Sequence, residues 1–264
     1  MRSTQAGFTL IEAVMVITLT SVIFGIVSVF IAPATTAYFA TTARAQLSDQ
    51  ADTALRRIAR DLARALPNSA RVSASGLSVE LIPVTSAARY AVESGDPLQF
   101  GASDTGFDVV GPGLRLANAG QKLAFYNLGA GVPDADAYQL ANVRTASTGA
   151  GVASHVDFSG GGLPNSLSAP PYRVYAIESP VSYRCDLAAG TLTRHANYGF
   201  SASQAEPPAG GSSAILARQV SACSFNYDPA SVGARHGIVS LQLSLTSQGE
   251  TVAIYQAVHV DNLP

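Results

Sequence analysis

The sequence predicts an α+β chain: one long N-terminal helix laid on an antiparallel β-sheet head. Three features predict it. Residues 8–32 form an unbroken apolar run that ends before Pro33. Apolar residues then recur at spacings of three and four as far as Leu66. From residue 67 onward the pattern changes to short β-rich runs punctuated by Gly, Pro, Ser and Asn.

The first run, FTLIEAVMVITLTSVIFGIVSVFIA, is 25 residues long. As a helix it extends ~37 Å at ~1.5 Å per residue, enough to cross a ~30 Å hydrocarbon core with some tilt. Only 13% of the chain is charged, against roughly 25% in ordinary soluble proteins. Much of the deficit lies here, since Glu12 is the only charged side chain from Phe8 to Ala43. A secretory signal peptide would have an apolar region of about 7–15 residues followed by a small-residue cleavage site. This run is longer and has a carboxylate near its start. A plain signal anchor is not excluded by length. An ionised carboxylate well inside a membrane helix costs roughly 2.5–3.5 kcal/mol on insertion scales. Glu12 therefore calls for a partner or a place near the interface, where the helix macrodipole also favours it.

Beyond Pro33, which is expected to kink the helix rather than end it, the buried stripe is Leu47, Ala51, Ala54, Leu55, Ile58, Leu62 and Leu66. Arg56, Arg57, Arg60 and Arg64 fall on the opposite face, with Asp52 and Asp61 within helical reach. Pro67-Asn68 is the expected stop, giving a helix over 8–66 of ~88 Å, membrane-spanning over 8–33 and amphipathic over 34–66. The arginines read as a solvated face rather than a DNA-binding one. Residues 67–264 carry 10 basic and 14 acidic side chains, and that net charge of −4 repels phosphates.

In the head, Arg71 to Val84 reads as a strand pair turning at Ser75-Gly76. Tyr172 to Ile177 and Val181 to Cys185 are β-rich, with a turn at Ala189-Gly190. The clearest hairpin is Ile238 to Thr246, a turn over Ser247 to Glu250, and a return over Val252 to Val260. Between Gly101 and Pro171 the chain reads as long loops with scattered short strands. Cys185 and Cys223 have no neighbouring His pair to complete a zinc site. In an exported domain two such cysteines bridge more often than not, and the closed loop stabilises the fold by about 4 kcal/mol in the chain-entropy model. Two unrelated buried thiols are the alternative.

The string Gly7-Phe8-Thr9-Leu10-Ile11-Glu12 resembles the processing motif of type IV pilins and type II secretion pseudopilins. It has a short polar leader (1–7), a glycine, a phenylalanine, an apolar run, and glutamate at the fifth mature position. The resemblance implies a pilin-like fold and a role for each residue. A prepilin peptidase would cut after Gly7 on the cytoplasmic side and N-methylate Phe8. Glu12 would pair with the Phe8 ammonium of a neighbouring subunit during assembly. Arg2 favours a cytoplasmic N-terminus, which places the head, 67–264, in the periplasm of a single-pass inner-membrane protein. Other minor and major pilins would be partners through the N-terminal helix. The run from Arg56 to Leu62, continuing to Ser69, is similar to minor pilins and J-type pseudopilins. The stretches YRVYAIESPVSYRCD, SACSFNYD and VHVDNLP are similar to MshO-type biogenesis proteins of the mannose-sensitive haemagglutinin pilus. A pilus-biogenesis role, a pseudopilin role in secretion, and a tip adhesin or DNA-uptake role all remain open on these motifs.

No catalytic constellation is expected. His155, His195, His236 and His259 are isolated in sequence, and Gly160-Gly161-Gly162 precedes no phosphate-binding lysine. Asp134 and Asp136 lack the further spaced oxygens of a calcium loop. Neither a metal, a cofactor, a small-molecule substrate nor nucleic acid is expected to bind.

Overall fold

The structure, a computed structural model, describes residues 7–229 and 236–264. Residues 1–6, most of the expected leader and including Arg2, lie outside the described residues. The helix α1 spans Leu10–Leu62. It is followed by β1 (Arg71–Val72), β2 (Ser78–Leu81), β3 (Val84–Tyr90), β4 (Gly106–Val110), β5 (Leu114–Leu116), β6 (Lys122–Phe125), β7 (Val143–Ala146) and β8 (Gly151–Ala153). Then come β9 (His155–Ser159), β10 (Arg173–Ile177), β11 (Val181–Asp186), β12 (Thr191–Ala196), β13 (Ser212–Arg218), β14 (Val220–Asp228), β15 (His236–Ser247) and β16 (Glu250–Asp261). The architecture is α+β and pilin-like: a long N-terminal helix on a head of antiparallel sheets.

α1 runs on through Pro33. Its second half buries Leu47, Ala51, Ala54, Leu55, Ile58 and Leu62, the stripe that the spacing predicts, against β13, β15 and β16. Fully burying each Leu or Ile stabilises by about 1.5–3 kcal/mol, so four of them hold this half firmly to the head. The helix stops four residues short of Leu66. Arg64 and Ala65 donate to Asp61 and Leu62 in tightened turns, and Leu66 N–H then turns to Ile82 O at 2.7 Å. The β2–β3 turn has claimed the chain before Pro67 acts. Leu66 is still buried, but in the cluster that joins the two halves of the head.

One half of the head is built from two sheets, β1-β2-β11-β12-β13 and β14-β15-β16, which share a core with α1. The predicted hairpins are here. β1 and β2 pair Arg71 with Glu80, and β15 and β16 stay in register from His236↔Asp261 to Ser247↔Glu250. Their two-residue turn has positive φ at both Gln248 (51°) and Gly249 (80°), the geometry that matches strand twist. A disulfide between Cys185 of β11 and Cys223 of β14 ties the sheets together.

The other half departs from expectation. β10, legible as a β-rich run, and short strands scattered through the stretch from Gly101 to Pro171 join β3 in a closed six-stranded barrel, β10-β3-β4-β9-β7-β6, which the pattern of loops and short strands does not predict. Strands of four to seven residues are too short for alternation to show against a Gly-rich background. What closes the barrel is its core: Tyr90, Phe107, Phe125 and Phe158 meet with neighbouring ring centroids 5.8–6.3 Å apart. The barrel is inserted between β2 and β11. Leu66, Ile82, Tyr138, Tyr175 and Ile177 pack where it meets the sheets. A polar network seals the same seam. Arg71 pairs with buried Glu80 and lies over the Tyr138 ring at 3.5 Å, and Tyr198 donates to Glu80. Tyr138 donates to Ser69 O at 2.8 Å, and burial pushes its phenol well above the ordinary range, which keeps it a donor.

Near its C-terminus α1 is clamped to β11 and β12. Asp61 accepts from the Tyr183 hydroxyl and from Arg194 Nε at 3.1 Å, with Arg57 Nε at 3.4 Å. Burial first, then the hydrogen bond to Asp61 and its charge, pushes Tyr183 up to about 12.

Two outcomes follow for the full chain in detergent micelles. The Asp61→Asn variant should lose about 1–3 kcal/mol in urea unfolding, because a carboxylate that accepts from two partly buried donors is replaced by an amide. A change below ~0.5 kcal/mol would show that the clamp adds nothing. Replacing Cys185 and Cys223 together by Ser should cost about 4 kcal/mol, the loop-closure value for a sequence separation of 38.

Candidate processing and assembly site

The helix begins at Leu10 because Thr9 caps it. Thr9 is extended (φ −79°, ψ 150°), its hydroxyl accepts from Glu12 N–H at 3.4 Å, and it donates to Glu12 Oε2 at 3.4 Å. Residues 9 and 12 thus have the S/T-x-x-E spacing but form only half of the capping box: the Thr9 hydroxyl satisfies one backbone donor, while the Glu12 carboxylate meets that hydroxyl rather than the Thr9 N–H. Glu12 lies in the first turn, where the macrodipole favours a carboxylate. Among the described residues its other oxygen, Oε1, has no hydrogen-bond partner. Phe8, immediately outside the helix, is 78% exposed. A Cβ added at Gly7 would meet nothing within 4 Å, so the chain's own fold makes no demand for glycine there.

The first half of α1 is long and apolar enough to cross a membrane, and its apolar window buries nothing against the head. Three of its hydroxyls bond back to the helix. Thr18 donates to Val14 O at 2.9 Å, Thr20 to Val16 O at 2.7 Å, and Ser21 to Ile17 O at 2.7 Å. Such back-bonding satisfies polar side chains without a partner helix. The arrangement can do one thing: present an apolar rod, with a single carboxylate near its free end, to lipid or to other rods.

The remaining candidates have structural work. Asp136 Oδ1 accepts from Tyr138 N–H, and its Oδ2 from Gly131 N–H and Gln139 Nε2, all at 2.7–2.8 Å. Asp134 accepts from Ser166 at 3.0 Å. Gly161 and Gly162 offer their carbonyls to the buried guanidinium of Arg144, and a Cβ at Gly160 would come within 3.0 Å of that side chain. His155, isolated in sequence, is not isolated in space. Its Nδ1 lies 2.8 Å from Asp108 and 4.0 Å from Asp96, and its Nε2 lies 3.4 Å from Asp157. The Asp108 hydrogen bond is the main cause that raises the imidazole pKa. Among the described residues no group of three or more His, Cys, Asp or Glu is arranged to hold a metal. The Asp61–Tyr183–Arg194 cluster could not be found from sequence, since Asp61 lies 122 and 133 residues from the other two.

Residues 2–28 match the family model described as the prokaryotic N-terminal methylation motif. No curated protein and no solved structure matches the chain. The motif implies processing by a prepilin peptidase and pilin-type assembly in general, and with the apolar helix it fits a membrane-anchored, structural pilin-type protein. The matched segment contains Gly7, Phe8, Thr9 and Glu12 together, so the chain carries a type IV pilin-like prepilin signal at its N-terminus.

Proposed function

We propose that this chain is a minor pilin that helps initiate pilus assembly near the filament tip. It is cut after Gly7, methylated on Phe8, and held in the inner membrane by residues 8–33 with its head in the periplasm until it assembles. The observation that carries this reading is the capped, bare start of α1. A Cβ at Gly7 would meet nothing within 4 Å, so the fold leaves that position open to a peptidase cleft, where a residue without a side chain lets the backbone lie close. Phe8 would expose a new ammonium, and Glu12 lies one helical turn away with an oxygen to spare. In the low-dielectric core of a bundle, a Glu12–ammonium pair between neighbouring subunits is far stronger than in water, although desolvation offsets much of it.

The barrel supports the tip. It joins the chain where Val84 N–H meets Arg64 O, just past the C-terminal end of α1 and away from the membrane half. In a filament of parallel rods that end abuts the preceding subunit, and an added barrel fits best where no subunit precedes. The MshO-type resemblance of residues 172–186, 221–228 and 258–264 points to pilus biogenesis. A J-type pseudopilin would have the same N-terminal motif. Loss of secreted enzymes with intact pili on gene deletion would select that reading instead.

Intact mass and an N-terminal peptide map of the protein from its native membrane should show loss of Met1 to Gly7 and one methyl on Phe8. An unprocessed N-terminus, or a cut after Ala32, would overturn the proposal. In the Glu12→Gln variant cleavage and methylation should persist, while the protein recovered in sheared filaments falls by tenfold or more. Normal incorporation of Glu12→Gln would remove the assembly role of that carboxylate.

A further inference from the structure

After Glu12, α1 carries no further charge until Arg44. The segment between them, residues 13–43, extends ~47 Å at ~1.5 Å per residue, whereas a hydrocarbon core is only ~30 Å thick. The apolar run that ends before Pro33 is therefore only part of the uncharged rod. Residues 33–42 continue it, and their hydroxyls bond back to the helix. Thr35 donates to Ile31 O at 3.0 Å, Thr36 to Pro33 O at 2.9 Å, Thr41 to Ala37 O at 2.8 Å and Thr42 to Tyr38 O at 2.9 Å.

Tyr38 and Phe39 stand in this continuation. They are 68% and 62% exposed, and their rings meet edge to face with centroids 5.8 Å apart. The head first buries a residue of α1 at Ala43, about 8 Å along the helix from Tyr38. Two bare rings at the end of an apolar rod suit a membrane–water interface. There the ring bodies lie against the tops of the acyl chains, and a phenol reaches headgroup oxygens and water.

The spacing fits that place. Glu12 and Tyr38 are 26 residues apart, hence ~39 Å, against ~40–45 Å for a bilayer with its headgroup layers. With the carboxylate at one interface, the aromatic pair falls at the other, and Phe24 lies near the bilayer centre. An exit at Pro33 would instead leave both rings ~8 Å out in water. The rim of the head nearest the pair is compatible with lipid. Arg44 is paired with Glu250. The recess where α1 enters the head, about 160 Å³, is lined by uncharged residues throughout, among them Gln46, Gln50, Gln219 and Gln248.

We propose that Tyr38 and Phe39 seat in the lipid headgroup layer on the head side of the membrane, opposite Glu12, so that the unassembled chain stands close to upright with its head at the lipid surface. The inference rests on the membrane-held reading above and moves the exit of the helix from Pro33 to the aromatic pair.

The chain contains no tryptophan, so a single introduced indole reports its own depth. Full-length Tyr38→Trp and Phe24→Trp proteins are compared in phosphatidylcholine vesicles brominated either high on the acyl chains or near their ends. The Tyr38→Trp emission should be quenched about threefold more by the shallow bromines, and the Phe24→Trp emission about threefold more by the deep ones. Their depths should differ by ~21 Å, the rise over the helix between them. A difference below ~15 Å would mean a strongly tilted helix and overturn the upright stance. Tyr38→Trp emission open to aqueous acrylamide and quenched by neither lipid, with Phe24→Trp still quenched by the deep bromines, would return the exit to Pro33 and overturn the seating. Tyr38→Trp emission quenched best by the deep bromines would overturn it too. So would emission open to water in vesicles but shielded in sheared filaments, which would assign the pair to packing against other pilin-like helices. If the Phe24→Trp emission is itself open to acrylamide and unquenched by either lipid, the membrane reading falls, and the seating with it.

Discussion

Everything in this chain answers to an apolar rod that its own fold leaves bare. Sixteen large apolar side chains from Phe8 to Ile31 are 41–83% exposed. Burying each is worth about 1.5–3 kcal/mol, so together they exceed the roughly 5–15 kcal/mol net stability of an ordinary domain. Among the described residues the head covers none of them, which leaves them to lipid or other helices. The head's task is accordingly to grip the other half of the same helix, since any force on the rod is transmitted through it. The buried stripe from Leu47 to Leu62 provides the grip along the length. The Asp61 clamp fixes the end.

The head is divided into two bodies of β-structure with separate cores, and the sheet half grips the helix. The sheets that contact α1 are cross-linked by Cys185–Cys223, which joins β11 to the hairpin stack β14-β15-β16. The barrel has its own aromatic centre and meets the sheets through a thin apolar seam. Arg71 makes that seam specific: a single guanidinium holds Glu80, stacks on Tyr138 and donates to the carbonyls of Ser201 and Ala202. Half-buried and satisfied, it sets the orientation of the seam more than its strength.

What could be read from sequence follows the length over which a pattern persists. The 25-residue apolar run, the stripe at spacings of three and four, and the alternating run from Ile238 to Thr246 each repeat a period several times; the stripe lies on α1 as far as Leu62, and the hairpin forms with strands longer at both ends than the pattern marks. The N-terminal motif was legible because its residues are contiguous. The helix end was misjudged by four residues: Pro67 is a visible stop, but the competition of Ile82 for Leu66 N–H comes from a distant turn. The barrel's last strand was legible, but its closure was not, because β6 and β7 have four residues each and because it depends on Phe107, Phe125 and Phe158 meeting across about 50 residues. His155 looked solitary for the same reason. Its three carboxylate neighbours arrive from β4, from the loop before it, and from its own strand.

The barrel enters and leaves the head at one point. Val84 and Ile177, its first and last strand residues, are direct cross-strand partners, so about ninety residues hang from a gap that one pair of backbone positions spans. To the sheets below, the whole barrel is equivalent to a long turn between β2 and β11. Loop closure of that kind costs little more entropy as the insert grows. The same scaffold can therefore exchange its distal module, large, small or absent, without altering the rod or the surface that grips it. Diversity among such chains would then accumulate in the cargo carried at the end of the helix rather than in the machinery of its attachment.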